Sequence, residues 1–160
     1  MDDGELVEIQ HRSYAHASSQ LRDAWPEAQA LAPSDLFAFL ERHRYCVLAT
    51  SRADGRAHAA PVGFVVHDSA FWFATVSGLR LRNVKVHPWA ALTIMEGDAD
   101  VGEAGHLHVA LTAEGDVTVH DPDRWESFKG DWLRRHTDPP VWAAAILELR
   151  PVRLFSHAAR

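Results

Sequence analysis

The chain has 160 residues, a length that suits one domain with a real hydrophobic core. Its formal net charge is −6, from 16 basic and 22 acidic residues, and this acidic excess argues against general nucleic-acid binding, which requires a strongly basic face. A single cysteine excludes an intrachain disulfide, no apolar run approaches the roughly 18 residues of a membrane span, and the acidic N-terminus lacks a secretory signal pattern, so we expect a cytoplasmic protein.

Residues 1–32 are polar and rich in alanine, and we predict that they form an N-terminal arm. The arm either lies over the core or over a partner subunit, or it is partly disordered, and the sequence leaves these alternatives open. Residues 33–160 are predicted to form a single domain. This domain starts with a helix for which Ser34 is a plausible N-cap, with Leu36, Phe37 and Leu40 on its apolar face.

Three apolar runs of strand length follow the helix, at Tyr45–Ser51, Ala57–Val66 and Ala70–Thr75. They are separated by the turns Ala53-Asp54-Gly55 and His67-Asp68-Ser69, whose residues tolerate the backbone angles of hairpins. Two consecutive hairpins predict an antiparallel meander of three strands. The lone thiol, Cys46, lies inside the first run and is expected to be a small buried side chain rather than a nucleophile.

A short basic segment, Leu79–Val86, follows the third strand and has helical spacing. We predict a two-turn helix with Ser77 or Gly78 at its cap. The free N–H groups and positive dipole at such a helix start, together with the charges of Arg80, Arg82 and Lys85, suit a phosphate group. The same pattern is also typical of a basic surface helix with an ordinary cap, so this segment alone leaves both interpretations open.

After a further apolar run, residues 97–105 are acidic and rich in small residues, which favours a solvated loop over a calcium site. His106–His120 then alternates between apolar and polar side chains, which predicts a long strand with a bulge or turn near Gly115. His106 and His108 share one face of that strand. Two histidines without a third ligand are weak evidence for a metal, and we expect none.

Asp121-Pro122-Asp123 is a helix start, with a cap residue, proline at the first helical position and an acid in the first turn. The helix is predicted to carry one apolar stripe, made of Trp125, Phe128, Trp132 and Leu133. Such a stripe is usually core, although it could also line a ligand pocket or a dimer interface. The last predicted strand is Val141–Phe155, in which Pro151 indicates an edge or a bend.

The polar residues do not assemble an active site made of protein groups alone. The sequence contains no Gly-x-Ser-x-Gly elbow, no CxxC, no HExxH and no Gly-x-Gly-x-x-Gly after a strand. If the chain is an enzyme, a bound cofactor must therefore supply the chemistry.

The order of these parts resembles the pyridoxamine-phosphate-oxidase-like family of flavin-binding split β-barrels, over roughly residues 36–156. The positions in step with the family pattern are Ala49-Thr50, Asp54-Gly55, His58, Pro61-Val62, Phe64, Phe73, Thr75, Asn83, Pro88 and Ala91-Leu92. Arg80 stands in the place of the usual basic residue, whereas Gly78 replaces a common serine and Ala57 replaces the usual proline. The resemblance implies a mainly β fold with flanking helices (α+β), built on an antiparallel split β-barrel.

The resemblance also implies a homodimer that binds FMN at the subunit interface and acts as an oxidoreductase on a small-molecule substrate, which it does not identify. The residues that it implies for the cofactor phosphate are Thr75, Ser77, Gly78 and Arg80, with Arg82 and Asn83 as lesser candidates. Those implied for the flavin ring are Ala59, Ala60, Pro61 and Val62, with a partner subunit completing the wall, for which Trp132 and Trp142 are candidates. Coenzyme F-420 is the alternative cofactor, and a non-catalytic flavin- or haem-binding module is the alternative function.

Overall fold

The computed structural model describes residues 4–96 and 109–158, and its strands form one antiparallel sheet. The strands are β1 (Tyr45–Ser51), β2 (Ala57–Gly63), β3 (Val65–His67), β4 (Ala70–Thr75), β5 (Trp89–Glu96), β6 (Val109–His120) and β7 (Ala145–Ala158). Their order across the sheet is β2-β1-β5-β6-β7-β4-β3. The predicted mainly β fold with flanking helices is thus confirmed.

The run predicted as one strand over Ala57–Val66 is in fact two strands, because the chain crosses from one edge of the sheet to the other at Phe64. β2 pairs only with β1, and β3 pairs only with β4 through a turn in which Asp68 and Ser69 have φ angles of 46° and 57°. The predicted three-stranded meander is therefore wrong. Since both sheet edges meet at one fully buried residue, the sheet curls into a split barrel.

Five α-helices and two 3₁₀ turns flank the described part of the sheet. The helices are α1 (Gly4–Ala15), α2 (Ser19–Ala24), α3 (Pro33–Arg42), α4 (Leu79–Val86) and α5 (Lys129–Arg135), and the 3₁₀ turns are Glu27–Gln29 and Pro122–Phe128. Helix α3 begins at Pro33 after Ala32, so Ser34 is not its cap. Proline suits the first helical position, where its missing N–H would have had no intrahelical acceptor.

Helix α1 covers a length of β7 that has no strand of the described sheet on one side. β4 pairs with β7 only up to Leu149, whereas β7 continues to Ala158. Beyond that point, Ser13 Oγ accepts a hydrogen bond from the Leu154 amide at 2.9 Å, and Tyr14 donates to the Ser156 carbonyl at 2.7 Å. Buried backbone groups that the sheet leaves unpaired are thereby satisfied, and the first helix packs on the core of its own chain.

Replacing Ser156 with alanine should destabilise the protein by about 1–3 kcal/mol, because a buried donor and acceptor lose their partner. The Ser156 hydroxyl is fully buried, accepts from the Leu31 amide at 2.9 Å and donates to Gln10. Ser127→Ala is the matched control, since its hydroxyl is exposed and bonds only to the local Arg124 carbonyl. Urea unfolding of both variants measures the difference, and equal midpoints would contradict the prediction.

β4 is buried on both faces, and α5 packs on one of them. Phe71 and Phe73 point into the main core, whereas Trp72 packs on the other side against Phe128 and Trp132. The predicted helix over this segment is a 3₁₀ turn followed by α5, and the change of period turns Leu133 out of the predicted stripe, so that it is 40% exposed.

The predicted irregularity in β6 is confirmed as a bulge between Glu114 and Gly115. Pro151 lies opposite Gly115 on β7, which is an interior strand of the sheet rather than an edge. Pro151 has no N–H to donate to β6, and the bulge opposite it removes the need for that hydrogen bond. Of the two predicted roles for Pro151, the bend is therefore correct and the edge is not. The acidic loop over 97–105 and the pair His106 and His108 lie outside the described residues.

No helix within 4–96 and 109–158 combines the length and the apolar character that crossing a membrane requires.

Candidate functional site

A cavity of about 630 Å³ lies between the β1–β2 edge, the end of β4 and the segment that follows α5. Three residues implied for cofactor binding line it: Pro61, Val62 and Arg80. Its lining therefore joins β2, at one edge of the sheet, with β4, which lies next to the other edge. The crossing at Phe64 brings the two together. The volume is in the range of ordinary small-molecule and cofactor sites.

The end of β2 forms one side of this cavity through Pro61, Val62 and Gly63. Small or backbone-like surfaces of this kind let a flat ring approach closely. Ala59 and Ala60 lie earlier on the same strand and do not line the cavity, although Ala59 is exposed on its outer face. The side chain of Val62 is mostly buried in the core, so a ligand would meet chiefly the backbone at this position.

Arg80 reaches the cavity from the first turn of α4 and is only partly satisfied. Its Nη2 donates to the Pro61 carbonyl at 3.5 Å, which is a long contact, and its buried Nε has no hydrogen-bond partner among the described residues. Burial lowers the pKa of the guanidinium. An orphaned, partly desolvated cation at a cavity is a favourable place for an anionic group, whose charge would offset the cost of burial.

The residues before α4 lie beside Arg80 but outside the cavity lining. Thr75 is buried and donates to the Val76 carbonyl at 3.3 Å, whereas Ser77 is exposed. Gly78 is the N-cap of α4, and no side chain bonds to the cap. The prediction of a two-turn helix after Gly78 is thus confirmed.

The two lesser phosphate candidates are placed differently from Arg80. Arg82 is exposed on α4 and does not line the cavity. Asn83 is buried and donates from Nδ2 to Thr50 Oγ1 at 3.0 Å, so its amide ties α4 to β1. In the described structure, the charged group of α4 that reaches the cavity is Arg80.

The rest of the cavity wall is aromatic and basic, and local sequence patterns carried little signal for most of it. It includes Trp132 and Trp142, which line the cavity within their own chain, together with Tyr45, Arg44 and His136. Arg44 and Tyr45 come immediately before or at the start of β1, far from Arg80 in sequence. No sequence motif marks His136 as part of a site.

Arg135 also touches the cavity, but its bonding is structural. Its buried guanidinium donates to the backbone carbonyls of His43 and, at 2.7 Å, Leu40, and it lies 3.2 Å from Glu41. It thereby ties α5 to α3 and holds the wall in place. Among the described cavity residues, Asp138 is the one carboxylate against three arginines, so the cavity favours anionic ligands.

His136 is the most constrained side chain of the wall. Its ring lies 4.4 Å from that of Trp132 and 6.0 Å from that of Tyr45, and its Nε2 is 3.1 Å from the Phe64 carbonyl. Burial lowers its pKa, the Phe64 carbonyl acts in the opposite direction, and the positive charges of Arg135 and Arg44 lower it further. The imidazole is therefore neutral at pH 7.

The thiol of Cys46 offers no nucleophile. It is buried, and burial raises its pKa to about 12, so that it stays protonated at neutral pH. The expectation of a small buried side chain is confirmed.

Comparison with known proteins gives one family and a common fold. The family model described as pyridoxamine 5'-phosphate oxidase matches residues 33–158. No curated protein matches the sequence. Among solved structures, the haem storage protein HutZ from Vibrio cholerae has a TM-score of 0.65 at 17% identity, with 78% of this chain and 93% of that one covered.

Two further structures share the fold. A FAD-binding protein from Mesorhizobium loti has a TM-score of 0.64 at 16% identity, over 82% of this chain and 97% of the other. An F420 reductase has a TM-score of 0.55 at 22% identity, over 73% of this chain and 93% of the other. At these identities the likeness shows the split-barrel fold alone.

Proposed function

The chain belongs to the pyridoxamine 5'-phosphate oxidase family, and from this premise we propose that it binds FMN in the cavity beside Arg80 and acts as an oxidoreductase on a small molecule. The observation that carries the proposal is the buried Nε of Arg80, which has no partner among the described residues and belongs to a side chain lining a cavity of about 630 Å³. A phosphate would meet that donor and offset its desolvation. The alternative cofactor, F-420, also carries a phosphate.

Other features of the cavity favour binding of a flat ring in addition to a phosphate. The β2 end presents mainly backbone at Pro61, Val62 and Gly63, and the rest of the wall includes Trp132 and Trp142. Aromatic side chains stack on conjugated rings and exclude water from them. A FAD-binding protein and an F420 reductase occur among the structural neighbours, so both flavin and deazaflavin cofactors are compatible with the fold.

In this proposal the cofactor, when bound, supplies hydride transfer, and the protein supplies binding and position. Arg80 holds the anionic end, which fixes the depth of the ligand in the cavity. The tryptophans limit the tilt of the ring and keep water away from it. No side-chain nucleophile is required, which agrees with the high pKa of Cys46.

We also propose that the protein is a homodimer with the cavity near the interface. The outer face of β1 and β5 carries exposed apolar side chains, namely Tyr45, Val47, Trp89 and Met95. Tyr45 belongs to both that face and the cavity. A second subunit covering the face would bury these side chains and enclose the cavity. Light scattering would show a mass near twice 17.8 kDa, and a monomer at micromolar concentration would contradict this part.

The cofactor is tested by titrating cofactor-stripped protein with FMN and, separately, with F-420, followed by fluorescence. We expect binding of FMN at micromolar concentration or tighter. Tighter binding of F-420 would transfer the proposal to the deazaflavin cofactor, and binding of neither would overturn it. A Soret band in the purified protein would indicate haem instead, in line with the haem storage protein of the same fold.

Catalysis is tested separately, since a non-catalytic binding module has the same cavity. Protein loaded with FMN is mixed anaerobically with NADH or NADPH, and the flavin absorbance is followed. Bleaching faster than that of free FMN supports an oxidoreductase. An unchanged rate with both donors, combined with tight binding, would favour the binding module.

A further inference from the structure

His136 uses one ring nitrogen and leaves the other without a partner among the described residues. Its Nε2 lies 3.1 Å from the Phe64 carbonyl oxygen. A carbonyl oxygen only accepts hydrogen bonds, so Nε2 must carry the proton of this contact. In a neutral imidazole the other nitrogen, Nδ1, is then a lone-pair acceptor with no hydrogen to donate. The Phe64 carbonyl thus selects the tautomer.

The ring is also held in place by its neighbours. Trp132 lies against it at 4.4 Å with an angle of 36° between the planes, and Tyr45 meets it edge-on. On the β2 side, a Cβ atom at Gly63 would lie 2.8 Å from Cε1 of His136, so the imidazole occupies the space that glycine leaves. Since His136 lines the cavity, its acceptor nitrogen belongs to a fixed part of the wall.

The charges around the imidazole disfavour its protonation, so that Nδ1 of His136 remains a hydrogen-bond acceptor. Arg44 and Arg135 face it, and Asp138 lies on the same wall. Burial and the two arginines outweigh the carbonyl of Phe64, so the pKa is lowered below its ordinary value of 6.5. A protonated ring would donate from both nitrogens and would present no acceptor to the cavity.

We propose that His136 Nδ1 accepts a hydrogen bond from the imide N–H on the edge of a flavin-type ring, and that this contact selects flavin-type ligands. The inference rests on the proposed function, because it assigns the ring of that cofactor to the end of the cavity formed by His136. Flavin and deazaflavin rings both carry an imide N–H, whereas haem has none at its edge. His136 would therefore be a specificity-determining residue for the class of cofactor.

The test compares FMN with its analogue methylated at the imide nitrogen, 3-methyl-FMN, in equilibrium binding measurements. Wild-type protein should bind FMN about tenfold more tightly than 3-methyl-FMN, the size of one hydrogen bond. His136→Phe keeps a ring against Trp132 but has no acceptor, so its affinities for the two ligands should agree within about twofold. His136→Asn retains an acceptor oxygen near the position of Nδ1 and should keep part of the preference.

A pH series with riboflavin gives a second readout, because riboflavin has no phosphate to titrate. Protonation of His136 removes the acceptor, and its lowered pKa places this step below pH 6.5. Wild-type affinity should therefore be constant between pH 7 and 8 and fall only at pH values below 6.5. The affinity of His136→Asn should stay level over the same range.

The outcomes separate this inference from the proposed function. If wild-type protein binds neither FMN nor F-420, the proposed function itself is overturned. If wild-type protein binds FMN but also binds 3-methyl-FMN equally well, or if His136→Phe keeps the full preference, the inference is overturned and the proposed function stands. Should His136→Phe not fold, as judged by circular dichroism, the wild-type comparison and the pH series decide.

Discussion

Replacing Arg80 with alanine should weaken FMN binding by about 1.5–3 kcal/mol, the scale of a hydrogen bond to a charged group. The guanidinium reaches the cavity with a buried Nε that has no partner, so a bound phosphate would gain a charge-assisted contact there. Fluorescence titration of wild-type and variant protein measures the difference. We expect the dissociation constant to rise by about 10- to 150-fold.

Two controls separate the phosphate contact from other effects of this change. Lys85→Ala removes a positive charge from the exposed side of the same helix and should leave the affinity within about twofold. Riboflavin lacks the phosphate, so its affinity should be nearly equal for wild-type and Arg80→Ala protein. An equal loss for FMN and riboflavin would mean that Arg80 acts by holding the Pro61 carbonyl, and the phosphate would lie elsewhere.

Replacing Gly115 with alanine should destabilise the protein by about 3 kcal/mol or more. A Cβ atom at Gly115 would lie 1.9 Å from the Arg150 carbonyl oxygen and 2.8 Å from the Cα of Pro151. Neither backbone atom can move away easily, since β7 is paired with β6 on both sides of this point. The bulge would have to open, with loss of pairing in the longest strand pair of the described sheet.

Gly130→Ala is the matched control for this prediction. A Cβ atom at Gly130 meets nothing within 4 Å, and the residue lies in α5, where alanine is favoured over glycine. Its effect should lie between no change and a gain of about 1 kcal/mol. Guanidinium unfolding followed by circular dichroism measures both variants. A Gly115→Ala protein as stable as Gly130→Ala would show that the bulge adjusts at little cost.

Much of the local structure could be predicted because its signals are local. β1 and β4 have the predicted bounds, since each is an apolar run ended by turn residues. The short helix α4 also lies as predicted, between Gly78 and the residues that precede Pro88. The bulge near Gly115 follows from small and polar residues that interrupt a regular alternation.

The error at Phe64 has a physical cause. Apart from His58, the run from Ala57 to Val66 consists of apolar residues and glycine, and a crossing between sheet edges that is buried at Phe64 needs no polar turn to mark it. Hydrophobic pattern reports burial and period, but it does not report which neighbour a strand pairs with. The same limit applies to α5, where a 3₁₀ turn shifted the period and turned Leu133 outward.

The residues of the candidate site likewise fall into those that local sequence signals predicted and those that they did not. The sequence by itself determined the split-barrel family and pointed to Pro61, Val62 and Arg80, because these residues stand in an ordered set of motifs along one stretch of chain. Only the tertiary structure brought Arg44 and His136 to the same cavity. That wall depends on where α5 packs over β4 and on how Gly63 makes room for an imidazole, and such contacts between distant segments leave no periodic trace in the sequence.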